Sequence, residues 1–358
     1  MAKIPVGVLG ATGMVGQRFL SLLLDHPWFE VAQVAASDRS AGKTLGEAGR
    51  WLVGGEMPAR FASMTIQPVD KIGDVPVVFS ALPGEVAGET ETAWAQAGAL
   101  VFSNAGAHRR DPLVPLLVPE VNYEHVALLE AQRKAKGWRG AILTNPNCTT
   151  THAVLPMRPL HDRFGIKKVV LVSMQALSGA GYPGVPSLDV LDNVVPLIKG
   201  EEEKVEWEPR KLLGALENGA IREAEIAISA HCNRVAVSDG HTECLSLGFE
   251  RPPADAAELI AALREWRSLP QELRLPSAPE APVLVTEAAD GPQPRRDRNA
   301  ADGMATTVGR VRPCPILDYK LVLLGHNTIR GAAGGSLLNA ELLAAQGLIP
   351  GVGVPGRD

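Results

Sequence analysis

The sequence predicts an α/β chain of two packed units. The first is a parallel sheet covered on both faces, and the second an α+β unit with a largely antiparallel sheet. Three observations carry this expectation. The chain has 358 residues, beyond the length at which a single hydrophobic core usually stops growing. Its first 147 residues alternate short apolar runs with helical periodicity, as strands joined by covering helices do. Past residue 148 the texture changes to strand-like runs with fewer helical segments between them.

Taken in order, residues 4–9 read as a buried strand, and 13–24 as a helix with Val15, Phe19, Leu20, Leu23 and Leu24 on its inner face. Runs at 31–36, 75–81 and 99–103 repeat the buried-strand signature, with a helical pattern at 86–97 between the last two. Residues 141–143 form one more strand, ending at Thr144-Asn145-Pro146-Asn147-Cys148. Residues 149–164 have helical spacing, and Pro156 and Pro159 should kink that helix or end it early. Further strands are predicted at 167–177, 226–230, 242–249, 304–311 and 319–324. A helix at 252–265 should be opened by Pro252-Pro253, and an Ala- and Leu-rich helix should occupy 332–346. The Gly- and Pro-rich tail at 350–358 should fray.

Composition narrows the class. Hydrophobic residues make up 46% and charged residues 21%, ordinary for a globular protein and unlike a disordered one. A formal net charge of -5 with no basic block argues against nucleic acid or an acidic membrane surface as partner. Four cysteines without a C-x-x-C pair are too sparse for a disulfide framework, so reduced thiols in a cytoplasmic protein are expected. No signal-peptide core and no bilayer-length apolar stretch is found, so no membrane association is expected.

Gly10-Ala11-Thr12-Gly13-Met14-Val15-Gly16 lies at the first strand-to-helix junction. Glycines there permit a tight turn and close backbone approach, while free N–H groups of the helix face a pyrophosphate. The string alone is weak; its position makes the first unit a Rossmann-type dinucleotide-binding domain. After the second strand, Asp38 is outnumbered by Ser37, Arg39 and Ser40, donors suited to a 2′-phosphate, which favours NADP over NAD.

Cys148 follows Asn145-Pro146-Asn147 at a helix start, where the positive end of the dipole favours a thiolate and hence a covalent nucleophile. Cys232, Cys244 and Cys314 lie in or beside strand patterns and read as structural. His241 follows a Gly-containing turn and begins a strand, so it can project from a sheet end as the base. Arg234 can fork onto a carboxylate. No histidine offers metal-ligand spacing, and no metal is expected.

Together these segments resemble aspartate-4-semialdehyde dehydrogenase of the archaeal and fungal type, collinearly from about residue 5 to 343. The resemblance rests on the glycine loop, the 36–43 segment, Phe79-Ser80-Ala81-Leu82-Pro83, Ser103-Asn104-Ala105 and Asn145-Pro146-Asn147-Cys148. It continues through 175–181, Glu201-Glu202-Glu203-Lys204, 233–237, Asp239-Gly240-His241-Thr242-Glu243, 295–299 and 327–334. It implies NADPH-dependent reductive dephosphorylation of L-aspartyl-4-phosphate to aspartate semialdehyde, in biosynthesis of lysine, threonine, methionine and isoleucine. On that resemblance Cys148 carries the thioester, His241 is the general acid/base and Gln175 orients the acyl group. Arg234 would clamp the α-carboxylate, Glu201 meet the α-amino group, and Lys204, Arg109 and Asn147 meet phosphate, with Arg110 as the alternative to Arg109. Cofactor contacts would come from Gly10, Ala11, Thr12, Gly13, Met14, Val15, Ser37, Arg39, Ser40, Ser80, Ala81, Leu82, Ser178, Gly179 and Asn327.

The resemblance implies an NADP-binding domain at 1–147 completed by helix 331–346, a catalytic and dimerisation domain at 148–330, and a tail at 347–358. It also implies a homodimer or homotetramer. Residues 187–199, with Leu188, Val190, Leu191, Val194, Val195 and Leu197, suit either that interface or the core. The rivals are malonyl-CoA reductase or N-acetyl-glutamyl-phosphate reductase of the same mechanistic class, a catalytically inactive NADP-sensing protein, and a cysteine hydrolase. The hydrolase gives no reason for the glycine loop.

Overall fold

Residues 2–355 are described by a computed structural model, so the last three residues of the predicted tail lie outside it. Two six-stranded sheets organise the chain. The first comprises β1 (Ile4–Leu9), β2 (Phe29–Ala36), β3 (Gln67–Pro68), β4 (Val77–Ser80), β5 (Leu100–Ser103) and β6 (Ala141–Thr144). All its pairs are parallel, in the order β3-β2-β1-β4-β5-β6. This is the doubly wound order, whose switch point lies where β1 meets β4 and where nucleotides bind beyond the strand ends.

Apolar side chains on both faces explain why these short strands read as continuous hydrophobic runs. Helix α1 (Met14–Leu23) covers one face through Phe19, Leu20 and Leu23, and α2 (Gly84–Ala97) covers the other through Ala87, Trp94 and Ala95. The catalytic side begins with α3 (Cys148–Phe164), which leaves the end of β6 after three residues.

The second sheet contains β7 (Ile166–Gln175), β10 (Ala227–Arg234), β11 (His241–Phe249), β12 (Val283–Val285), β13 (Thr306–Pro313) and β14 (Tyr319–Gly325). A separate two-stranded ribbon pairs β8 (Ala215–Glu217) with β9 (Ala220–Arg222). The large sheet runs β10-β7-β11-β14-β13-β12, antiparallel in its middle three pairs and parallel at both edges. Its inner face packs Leu171, Leu245, Leu321 and Leu323 against Leu155 and Leu160 of α3. Helices α4 (Glu201–Leu212) and α5 (Ala256–Glu265) add Val205, Leu259 and Leu263 to the same core.

Three expectations change. Helix α3 runs to Phe164 through Pro156 and Pro159 without ending, because twelve of its 17 residues are buried and tertiary packing outweighs the lost backbone bonds. Helix α5 opens at Asp255, whose side chain accepts from the Glu258 N–H, and not at the Pro pair. Strand β10 extends to Arg234, beyond its apolar start. The last helix, α6 (Gly334–Ala345), packs Leu337, Leu338, Leu342 and Leu343 onto the first sheet beside α1. Among the described residues no helix is long and apolar enough to cross a membrane.

Candidate active site

The site is a cleft of about 720 Å³ between the two sheets. The glycine turn forms one wall. Gly10 adopts φ +77°, and a methyl there would press on the Ala81 carbonyl; one on Gly16 would strike the Gly10 carbonyl. Those two glycines therefore let the turn lie flush against β4 and α1. Gly13 caps α1 and is open on its outer side, so the helix N-terminus faces the cleft. Gly13, Met14, Val15, Ala81, Leu82, Ser178, Gly179 and Asn327 line the cleft directly.

Gly10, Ala11 and Thr12 form the turn behind that lining, with the Gly10 and Ala11 N–H groups bonded to the Ala35 carbonyl. Ser37 and Arg39, exposed, and Ser40, half-buried, follow β2 and are not among the residues lining the cleft. Ser80 is fully buried, and its hydroxyl faces inward to the Glu91 carboxyl. Asn327 spends its amide holding two loops: Oδ1 accepts from the Gly240 N–H at 2.9 Å, and Nδ2 donates to Ser178 Oγ at 2.8 Å.

Cys148 is the first residue of α3. Asn147 caps that helix, its Oδ1 accepting from the N–H groups of Thr149 at 2.9 Å and Thr150 at 3.2 Å. Sγ of Cys148 lies 3.1 Å from Nε2 of His241, the first residue of β11. His241 Nδ1 accepts from the Ala176 N–H at 3.1 Å. In the neutral ring the proton therefore sits on Nε2, which donates to the sulfur. Burial, followed by the neighbouring His152, Arg234 and His326, holds the imidazole pKa well below its usual range, which keeps this tautomer neutral. Gly331 lies directly behind the nucleophile, where any side chain would collide with Cys148 Cβ.

The helix dipole does not decide the state of the thiol. Burial, then Glu201 and Glu243, push Cys148 up to about 12, against the Thr149 N–H and Arg234. The resting group is the thiol, contrary to the thiolate expected from its helix position.

Gln175 ends β7 and points into the cleft, with Nε2 donating to Ser173 Oγ at 3.2 Å. Arg234, the last residue of the neighbouring β10, donates from Nη1 to the Ala176 carbonyl at 2.8 Å and lines the cleft. Glu201 accepts from Asn147 Nδ2 at 2.7 Å and lies 3.5 Å from Lys204 Nζ. One cation and one anion thus line the cleft together with the sulfur. Arg109 lines the cleft, whereas the Arg110 guanidinium stacks 4.4 Å over the Trp207 ring, which settles the orientation the sequence left open.

Sequence reasoning missed Glu208, Lys211 and Glu243. Glu243 is fully buried two residues beyond His241, without a hydrogen-bond partner, and burial raises its pKa well above the carboxyl range. Only the i, i+3, i+7 and i+10 spacing of Glu201, Lys204, Glu208 and Lys211 signalled a polar helix face turned inward.

Residues 5–129 match the family model described as semialdehyde dehydrogenase, NAD binding domain, and residues 157–330 that of semialdehyde dehydrogenase, dimerisation domain. The chain belongs to the semialdehyde dehydrogenase family. As a member it is an NAD(P)-dependent oxidoreductase. It is 51% identical to an aspartate-semialdehyde dehydrogenase of Archaeoglobus fulgidus, over 97% of this chain and 100% of that one. It is 46% identical to one of Schizosaccharomyces pombe, over 98% and 100%. The Candida albicans aspartate semialdehyde dehydrogenase crystallised with NADP superposes with a TM-score of 0.89 at 41% identity, over 97% and 100%. The archaeal and fungal resemblance read from the motifs is borne out.

Proposed function

We propose that this semialdehyde dehydrogenase reduces L-aspartyl-4-phosphate to L-aspartate 4-semialdehyde with NADPH, releasing phosphate, through a thioester on Cys148. The observation that carries the reading is Cys148 Sγ at 3.1 Å from His241 Nε2, in a cleft also walled by the glycine turn.

The residues fit a dinucleotide. Gly13 leaves the α1 N-terminus open to a pyrophosphate, and the Gly10 and Gly16 packing admits no larger side chain. Ser37, Arg39 and Ser40 follow the end of β2, and as donors suited to a 2′-phosphate they favour NADP. When bound, the nicotinamide supplies hydride to the acyl carbon.

The chain's own groups do the rest. As the C–S bond forms, the acyl C–O bond breaks and the Cys148 thiol proton leaves with the phosphate, while the His241 Nε2–H stabilises the sulfur both as it attacks and as it departs. Arg234 holds the α-carboxylate and Glu201 the α-ammonium, a pairing suited to an amino-acid substrate. Arg109, Lys204 and Asn147 meet the phosphate, and Gln175 orients the acyl oxygen. With its Nδ1 held by the Ala176 N–H, His241 acts through its Nε2–H donor. This division makes residues 1–147 with helix 331–346 the nucleotide domain, and 148–330 the catalytic and dimerisation domain.

Association as a homodimer or homotetramer is supported by an uncovered apolar surface. Val170 on the outer face of the second sheet is exposed, as are Tyr182, Leu188, Leu191, Val194 and Leu197 of the adjoining loop. A soluble, cytoplasmic enzyme of the aspartate pathway is the setting that fits. The test is phosphate-dependent reduction of NADP by purified enzyme with aspartate semialdehyde, compared with NADPH oxidation by malonyl-CoA. Activity only with malonyl-CoA would overturn the reading.

A further inference from the structure

Helix α4 turns two residues away from the cleft lining and toward its supports. Lys211 Nζ donates to the backbone carbonyls of Arg109 at 2.8 Å, Asp111 at 3.0 Å and Val114 at 3.0 Å, fixing the loop that carries Arg109. One turn earlier Glu208, wholly buried, takes one donor on each carboxylate oxygen. Oε1 accepts from Arg109 Nη1 at 2.8 Å, and Oε2 accepts from the Asn147 N–H at 2.8 Å. Arg109 is held further by Nη2 donating to the Asn104 carbonyl at 2.9 Å, which leaves its buried Nε without a protein partner. Asn147 is the cap of the helix that begins with Cys148.

We infer that Glu208 is a positioning residue, joining the anion-binding guanidinium of Arg109 to the cap of the nucleophile's helix so that leaving phosphate and sulfur share one rigid frame. The inference rests on the phosphate-releasing reaction proposed above. Its chemistry requires a carboxylate. Both partners of Glu208 are donors, and an amide offers only one acceptor end. A Gln at 208 must therefore set its NH2 against either the guanidinium or the Asn147 N–H. It also strips Arg109 of its counter-charge in a desolvated place, where an unpaired charge is costly.

The experiment uses full-length Glu208→Gln beside the wild type, with aspartate semialdehyde, inorganic phosphate and NADP as reactants. Misplacement of reacting groups by about 1 Å costs on the order of 100-fold in rate. The expected result is a kcat about 100-fold lower and a KM for phosphate raised about tenfold, with the Kd for NADP within about twofold. A purely structural role would weaken all ligands alike and leave no such split. Inorganic phosphate should also protect Cys148 from iodoacetamide in the wild type and much less in the variant. If Glu208→Gln does not fold, Glu208→Asp keeps the charge but is one methylene too short to reach both donors, and the same phosphate-specific defect is expected of it. Wild-type phosphate kinetics in a folded variant, or losses equal for phosphate and NADP, would overturn the inference. A wild type that turns over without phosphate would overturn the reaction itself, and this inference with it.

Discussion

A methyl group on Gly179 would stand 2.8 Å from Nη1 of Arg234 and 3.1 Å from Cε1 of His241. The turn after β7 therefore passes directly over both groups, and only a residue without Cβ leaves them in place. Gly179→Ala is expected to lower kcat/KM for the semialdehyde about 100-fold, with the melting temperature nearly unchanged. Steady-state kinetics beside a thermal melt check this; full activity would show that the turn yields freely.

Replacing the nucleophile separates chemistry from cofactor binding. Cys148→Ala should abolish turnover, while NADP, which the glycine turn is proposed to hold, binds as before. Fluorescence titration and rate assays together read this, and measurable turnover would remove Cys148 from the mechanism.

Because burial and Glu201 hold the thiol of Cys148 up to about 12, the reactive thiolate is scarce at neutral pH. The rate of alkylation by iodoacetamide should rise about tenfold per pH unit from pH 7 to 9 without reaching a plateau. Glu201→Gln removes one charge that raises this pKa, so its profile should shift to lower pH. A plateau near pH 7 in the wild type would contradict the ordering of these effects.

Arg330 and Glu120 form a fully buried ion pair, Nη1 to Oε1 at 3.0 Å, between the turn before α6 and the segment after β5. Glu120→Ala leaves the guanidinium charged and unpaired. Unfolding should cost about 3–5 kcal/mol less than in the wild type, readable as a lower denaturation midpoint in urea. An unchanged midpoint would mean that solvent reaches Arg330.

Burial lowers His125 to about 4 and His152 to about 3, so both are neutral in the fold. The unfolded chain binds a proton near pH 6.5 and the folded chain does not. Their contribution to stability is therefore complete above pH 6.5 and is lost as pH falls toward 4. Each histidine should lower the unfolding free energy by up to about 1.4 kcal/mol per pH unit in that window. Urea titrations at pH 7.5, 6 and 5 test this, and a flat profile would refute it.

Much of this was legible in the chain because it depends on local order. The apolar run of β1, the glycines behind it and the helical spacing after them identify a nucleotide cradle without any long-range knowledge. Cys148 is conspicuous for the same reason, lying where a strand hands over to a capped helix. Glu208 is different in kind. Its partners lie 61 and 99 positions away, and apart from its place on the Glu201–Lys211 polar stripe it looks like a solvated glutamate. The polar end of β10 misled for a related reason, since Arg234 interrupts an apolar pattern in order to reach the cleft. The state of the Cys148 thiol was misjudged because the helix end is visible in sequence, whereas desolvation and Glu201 are not.

The placement of α6 has a consequence for biosynthesis. Its Leu337, Leu338, Leu342 and Leu343 complete the face that Phe79 and Phe102 offer from β4 and β5. A ribosome must therefore translate past residue 345 before the sheet that β1 begins receives its lid. Through that interval the nascent chain carries a greasy, half-finished surface, and a premature stop before residue 334 would leave it bare for good.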